Sequence, residues 1–442
     1  MASPSTPPLS SDKSPLARYQ TPRKRLAFLR PRLLVFLAVV GPGIISQSAG
    51  NDAGGVTTYA IAGAQFGYGL LWILILTTIS YAVTQEMGAR MGIVTGKGLG
   101  ELIRERYGPR WTLLAVGVLT ITNLGDTAAD VAGIGAALQL FGVTKYVSIP
   151  LAVIGMYLLA VKGNFARIEK IFLLSAALFV AYVISGFMAH PDWGSVFHSV
   201  IIPPIQLKQA YIFTFIGVIG TTITPWGQFF IQSYVVDKRL TLPALNLERA
   251  DVYIGSIISQ VIAFFIVVAT AATLYIHGQR SITDAADAAR ALAPLAGSFA
   301  AVLFGLGLLN ASLLGSMAIP LSGTYTVTQA LGTEFGLSHR LRDAPLFYST
   351  FSITVLLVTL FVLIPGMPLI TVMFISQVLD GILLPILLLF VVFLANDRSI
   401  LGKYVNGRIF NIIAWTTIIV LITASLLLVL TTIIQQINGG GP

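Results

Sequence analysis

Apolar residues run through this chain in long blocks, separated by short polar stretches. A helix needs about 20 apolar residues to cross the hydrocarbon core of a bilayer. Eleven blocks meet or approach that length, near residues 33–65, 68–91, 111–141, 146–162, 170–189, 210–235, 252–276, 297–331, 345–365, 369–395 and 408–435. The pattern predicts an all-α polytopic membrane protein with eleven transmembrane helices. Several blocks exceed one span, which implies tilt, kinks or turns outside the bilayer. The first block follows a basic stretch, as a signal peptide would. It is too long for one and ten more follow, so it is read as a retained first span. Residues 1–32, opening with a run rich in Ser, Pro, Lys and Arg, read as a disordered cytoplasmic tail. Residues 33–435 form one transporter-like membrane domain, and 436–442 a short extracellular tail.

Two blocks break their own helical pattern. The first contains Ser48-Ala49-Gly50-Asn51-Asp52-Ala53-Gly54-Gly55, with three glycines, an Asn and a carboxylate. The sixth contains Gly220-Thr221-Thr222-Ile223-Thr224-Pro225-Trp226-Gly227. Pro225 removes one helical hydrogen bond and crowds the preceding turn. Unwound backbone at membrane depth is tolerated only where protein buries it or a wet cavity meets it. Two interrupted helices, each first in a set of five, point to a secondary transporter built as a 5+5 inverted repeat. Repeat one would cover about 33–189 and repeat two about 210–395, with an added helix at 408–435.

Composition strengthens this reading. Charged residues are 10% of the 442, against about 25% in soluble proteins, too few to cover a water-facing surface. Twenty-three of the 27 Lys and Arg fall in the N-terminal tail and every second connection; the exceptions are Lys145, Lys208, Arg280 and Arg290. This bias puts the N-terminus in the cytoplasm and, after an odd number of spans, the C-terminus outside. It also accounts for the net charge of +9 through topology and anionic lipid, without nucleic acid. The location is therefore a cell membrane, plasma or inner. No cysteine is present, which removes disulfides and thiolate sites. The four histidines, His190, His198, His277 and His339, lie in polar connections.

Ionisable groups within spans are costly and are functional candidates. Asp52 lies in the first break, Glu86 near the end of span 2, Asp126 and Asp130 in span 3, and Asp380 in span 10. No Lys or Arg lies centrally in any span, so a cationic substrate would supply the missing counter-charge. A carboxylate beside bare carbonyls makes a hard oxygen site, suited to Mg, Ca or Mn. Gln377 offers a neutral amide oxygen, or else a helix–helix hydrogen bond. Asp126 and Asp130 share one helix face. Glu86 faces Arg90 four residues on, as a structural ion pair would. Asp380 lines either the inner or the outer cavity.

The segments GPGIISQSAGNDAGG, MGARMGIVTGKGLGELI, GVIGTTITPWGQFF, FGLGLLNASLLG, ISQVLDGILLP and NGRIFNIIAW resemble the Nramp family of divalent metal transporters over residues 33–430. The resemblance implies a leucine-transporter-like fold. It implies a metal site at Asp52, Thr224 and Gln377, with the carbonyls of Ala49 and Thr221. The family's Asp-Pro-Gly-Asn reads Asp52-Ala53-Gly54-Gly55, and its Met-Pro-His-Asn reads Thr224-Pro225-Trp226-Gly227. Its second histidine is missing from Phe229-Phe230-Ile231-Gln232. Its Asp/Glu proton pair in span 3 reduces to Asp130, with Asp126 shifted. These departures resemble the branch of Nramp-related magnesium transporters. That branch implies uptake of Mg²⁺, and also Mn²⁺, as partly hydrated ions without proton coupling. Loss of the thioether removes discrimination against Mg²⁺. Gly55 and Thr224 are expected to widen the cavity, so that water stands between ion and protein. Asp126, Asp130, Asp380 and Trp226 are candidates for the pathway.

The rival within the fold is a proton-coupled Mn²⁺/Fe²⁺ importer, which would need the methionine and a titratable relay. An amino-acid or organic-cation transporter is a second rival. An enzyme is disfavoured: there is no histidine pair, glycine-flanked nucleophilic serine or phosphate loop. The expected partners are divalent metal ions as cargo and the lipid bilayer. No cofactor, nucleic acid or obligate protein partner is expected.

Overall fold

A computed structural model of the chain describes residues 50–162, 179–293, 297–333 and 342–437. The basic tail, most of the first block, Ala49, residues 170–178 and His339 lie outside the described residues. The principal helices are α1 (Ala53–Phe66), α2 (Leu71–Thr95), α3 (Leu99–Tyr107), α4 (Pro109–Gln139), α5 (Lys145–Lys162), α6 (Val180–Met188) and α7 (Trp193–Ile201). They continue with α8 (Gln209–Thr222), α9 (Pro225–Asp237), α10 (Leu245–Thr270), α11 (Ala300–Leu331), α12 (Pro345–Val362), α13 (Leu369–Ala395) and α14 (Arg408–Ile437). Among the described residues there is no strand.

Seven helical runs among the described residues are long and apolar enough to cross a membrane: α4, α8 with α9, α10 with the π turn Ala271–Tyr275, α11, α12, α13 and α14. Large apolar side chains such as Leu113, Leu151, Ile353, Leu360, Ile412 and Leu426 stand exposed on the outer helix faces. Such a surface is unfavourable in water and matches lipid. The interior is built from α4, which packs along α11 and α13, and from α8, which crosses α13.

Among the described residues the block boundaries hold to within a few residues except at the start of the seventh; the starts of the first and fifth blocks lie outside the described residues. The 252–276 block is a helix that starts seven residues earlier, at Leu245. Its added turns carry Glu248 and Asp251, which are buried, so hydropathy alone could not find them. The sixth block divides at Ile223 and Thr224 into α8 and α9, where the proline implies a break. His198 sits on the exposed side of the short helix α7, within the connection between the fifth and sixth blocks.

The α8–α13 crossing depends on two glycines. A methyl group on Gly220 would lie 2.0 Å from the Gln377 carbonyl oxygen and 2.5 Å from the Gly381 nitrogen. Backbone meets backbone there, and neither can yield cheaply. Overpacking of this kind costs about 1–3 kcal/mol or more. Gly220→Val is therefore expected to lower the melting temperature of the purified protein markedly. Gly117→Val, at a position with open space around it, is the control that should not.

The expected Glu86–Arg90 pair forms, with Arg90 Nε 3.0 Å from Glu86 Oε2. Sequence reading missed its third member: Arg249 Nε, on α10, lies 2.7 Å from Glu86 Oε1. Arg90 also donates to the Tyr404 carbonyl, and at 2.5 Å to Asn406 Oδ1. The Glu86 carboxylate thus ties α2 to α10, and its partner Arg90 ties α2 to the segment before α14. Removing one partner of a buried ion pair costs about 3–5 kcal/mol. Glu86→Gln should lower thermal stability by more than Arg106→Gln, which breaks the exposed contact of Arg106 with Asp397.

Candidate functional site

Both helices that follow the breaks begin with a capping side chain. Asp52 is the N-cap of α1, and its Oδ1 accepts from the Gly55 N–H at 2.7 Å. Thr224 is the N-cap of α9, and its Oγ1 accepts from the Gly227 N–H at 3.3 Å. Asp and Thr are favoured caps because a side-chain oxygen satisfies an orphan N–H of the first turn. Pro225 follows at the first helical position, where its missing N–H does no harm to α9. The same missing N–H leaves the Thr221 carbonyl without its usual helical partner. A capped carboxylate and a freed carbonyl thus arise from local sequence at the two breaks.

The structure brings further carboxylates to this place. Asp130 Oδ1, from α4, accepts from the Ala53 N–H at 3.2 Å. The N-terminus of α1 is therefore held by two carboxylates, which its dipole favours. Gly315 on α11 makes the room: a methyl group there would sit 2.1 Å from Asp130 Oδ2. Gln377 Nε2 donates to Asp126 Oδ1 at 3.0 Å, and the Asp380 carboxyl lies against that of Asp126. Asp52, Asp126, Asp130, Gln377 and Asp380 are all buried. Among the described residues none of these four carboxylates has an ion-pair partner. Like charges at this spacing repel unless a cation or a proton stands between them.

Neutral oxygens complete the surroundings. Oδ2 of Asp52, Oε1 of Gln377 and Oγ1 of Thr221 are buried with no hydrogen-bond partner among the described residues. Gln377 is wedged between helices, its Nε2 only 2.2 Å from where a methyl group on Gly54 would stand. Gly55 is also a close approach. A methyl group there would lie 2.9 Å from Thr221 Oγ1 and 3.0 Å from the Gly50 carbonyl oxygen. The space expected beside Gly55 is thus occupied in this arrangement by the Thr221 hydroxyl and backbone. Trp226 is fully buried against Phe230, at 5.8 Å between ring centroids, and its carbonyl accepts from Ser322 Oγ at 3.0 Å. Among the described residues no three His, Cys, Asp or Glu side chains converge closely enough to hold a metal ion. A cation here would rely on one or two carboxylates, with neutral oxygens and water.

Two neighbours escaped the sequence. Asn51 Nδ2 donates to Ser259 Oγ on α10 at 2.9 Å, which anchors the first break. The hydroxyls of Tyr59 and Thr222 lie 3.0 Å apart and join α1 to the end of α8. The amide beside Asp52 was a visible signal; the tyrosine gave none.

The family model "Natural resistance-associated macrophage protein-like" matches residues 43–431, nearly the whole chain. The chain belongs to the Nramp family. The divalent metal cation transporter MntH of Ralstonia nicotianae is 29% identical over 413 residues, covering 89% of this chain and 90% of that protein. MntH 1 of Pseudomonas aeruginosa is 28% identical over 399 residues, covering 85% and 88%. Among solved structures, the Eremococcus coleocola manganese transporter superposes with a TM-score of 0.74 at 19% identity, covering 90% of this chain and 87% of that one. The nucleobase-cation-symport-1 transporter Mhp1 gives 0.58 at 15% identity, covering 89% and 90%. At these identities the structures establish the fold alone. It is an all-helical membrane transporter with leucine-transporter-like neighbours. The Nramp relatives are transporters rather than enzymes, and the metal in their names is cargo, not cofactor.

Proposed function

We propose that this Nramp chain imports divalent cations, Mg²⁺ foremost and Mn²⁺ also, as partly hydrated ions and without proton coupling. The observation that carries the reading is the donor set at the breaks. One buried carboxylate oxygen of Asp52 and the open Gln377 amide oxygen are hard ligands, and so is the Thr221 carbonyl that Pro225 leaves without a helical N–H. No sulfur stands at the Thr224 cap. Hard oxygen donors suit Mg²⁺ and Mn²⁺, and Mg²⁺ tends to retain several waters. The Ala49 carbonyl is assigned to the same site by the family resemblance, as the departures at Gly55, Thr224 and Trp226 are to the magnesium-transporting branch. Eleven spans in a 5+5 inverted repeat, with a cytoplasmic N-terminus and an outer C-terminus, form part of the same proposal. So does a plasma or inner membrane location.

Coupling to protons is unnecessary for uptake. A divalent ion entering down an inside-negative potential of about 100 mV gains about 4.6 kcal/mol. That sustains about a thousand-fold accumulation. Trp226 occupies the family's histidine position and cannot titrate. The test is uptake into proteoliposomes with a pH dye inside and a proton ionophore control. Mg²⁺ and Mn²⁺ should enter with no interior acidification. Metal-dependent acidification that tracks uptake would favour the rival Mn²⁺/Fe²⁺ importer, with Asp126, Asp130 and Asp380 as its relay.

A further inference from the structure

Below the site, toward the connection that carries Lys97, the interior holds a line of neutral amides that the metal site does not use. Thr224, Gln228 and Gln232 recur every four residues on α9, so they form one stripe with steps of about 6 Å along the helix. Gln85 of α2 meets its upper end: a methyl group on Gly227 would be 3.0 Å from Gln85 Nε2. Gln228 Nε2 donates to Thr84 Oγ1 at 3.3 Å. At the lower end Gln232 Nε2 donates to the Lys97 carbonyl at 2.9 Å. Gln329 of α11 accepts from Ser233 Oγ at 3.2 Å and packs against the neighbouring Gly98. Lys97 also lines a surface cavity of about 400 Å³, together with Thr95, Glu105 and Arg106. The stripe therefore runs from the Thr224 cap to the edge of a surface depression.

These groups are poorly served where they stand. Gln85, Gln228, Gln232 and Gln329 are each no more than 2% exposed. Oε1 of Gln85, of Gln228 and of Gln232 has no hydrogen-bond partner among the described residues, nor has Nε2 of Gln85 or of Gln329. A buried polar group without a partner carries a penalty that leucine at the same position would not. Three of these five open atoms are acceptors. A hydrated cation presents only O–H donors at its outer surface, so acceptors are what it needs along a route. Neutral amides hold its water shell without trapping the ion as a row of carboxylates would.

We propose that Gln85, Gln228, Gln232 and Gln329 line the cytoplasmic passage by which the hydrated divalent cation leaves the site, opened when α9 and α2 part. This rests on the divalent-cation reading above. The chain has no cysteine, so single cysteines can be placed in the full-length protein without background. Gln228→Cys and Gln232→Cys would be compared with Phe229→Cys and Val235→Cys, whose parent residues are buried in apolar clusters. A membrane-impermeant cationic thiol reagent is added on the cytoplasmic side of reconstituted vesicles. The two stripe cysteines should react about ten-fold faster than the two controls, and saturating Mg²⁺ should alter that rate. Equal reactivity at all four positions overturns the passage.

A second arm uses the Gln228→Leu, Gln232→Leu double variant. Its Mg²⁺ uptake rate should fall about ten-fold, while equilibrium Mn²⁺ binding at the site stays within about two-fold of the parent. Parent-like uptake overturns the proposal, and so does loss of binding in step with uptake. If the double variant does not fold, the cysteine arm decides. Labelling requires no transport. A parent chain that moves no divalent ion would sink the function proposed above, whereas silent stripe cysteines in a parent that does move Mg²⁺ would sink only the passage.

Discussion

Asp52→Asn is expected to reduce Mg²⁺ and Mn²⁺ uptake by at least about a hundred-fold, the equivalent of about 3 kcal/mol. The carboxylate has two separable roles. Oδ1 caps α1 through the Gly55 N–H, while Oδ2 is buried and open. Alanine would remove both, and cap loss alone costs about 1 kcal/mol. Asparagine keeps a capping oxygen and removes only the charge. The Asn variant should therefore retain the melting temperature of the parent while losing metal binding, and Asp52→Ala should lose both. Binding is read by calorimetry on the purified protein and transport by vesicle uptake. Near-normal uptake in a well-folded Asn variant would remove Asp52 from the site.

The second large effect is expected from Gly55→Asn with Thr224→Met, which restores the family's residues at two of the altered positions. The Asn side chain must displace the Thr221 hydroxyl, because a methyl group at 55 already lies 2.9 Å from it. That narrows the space for ligand waters. Met at 224 adds a soft thioether, which favours Cd²⁺ and Mn²⁺ over Mg²⁺. It also removes the oxygen that caps α9, so a stability loss of about 1 kcal/mol should accompany the change. Mg²⁺ uptake should fall about ten-fold or more while Cd²⁺ binding tightens by a similar factor. Competition of Cd²⁺ and Mg²⁺ against Mn²⁺ uptake measures both at once. An unchanged Mg²⁺/Cd²⁺ preference would assign selectivity to other residues.

The Gly55 result shows where sequence reading stops. Loss of a side chain was visible in the sequence and suggested a wider cavity. Whether space remains depends on what moves in, and here Thr221 and the Gly50 carbonyl take it. Thr224 gives a similar lesson. It aligns with the family's methionine, yet Thr-Pro-x-Gly and Asp-x-x-Gly are also capping sequences, and both side chains cap. The glutamines of α2, α9 and α11 were equally visible as amides in apolar helices. Nothing local says that they meet.

Covalent chemistry and short-range periodicity fix the part of this protein that can be read from its residues alone. Long apolar blocks with few charges make a membrane protein, because such a surface cannot be solvated by water. Pro225 breaks the sixth block because it has no N–H to give, and it frees the Thr221 carbonyl for the same reason. Asp52 is the one carboxylate within either break, a fact of spacing alone. The rotation of each helix about its axis, by contrast, is set by packing. In helices that are apolar or small on every face, no amphipathic stripe betrays that setting. It is the packed bundle that has Asp130 hold the first N–H of α1 across 77 positions of chain, and Gln377 reach Asp126 across 251. Arg249 completes the Glu86 pair in the same way, from 163 positions away. Those contacts exist because glycines at 54, 220 and 315 let the helices approach, and which glycine faces which neighbour is a property of the assembled bundle.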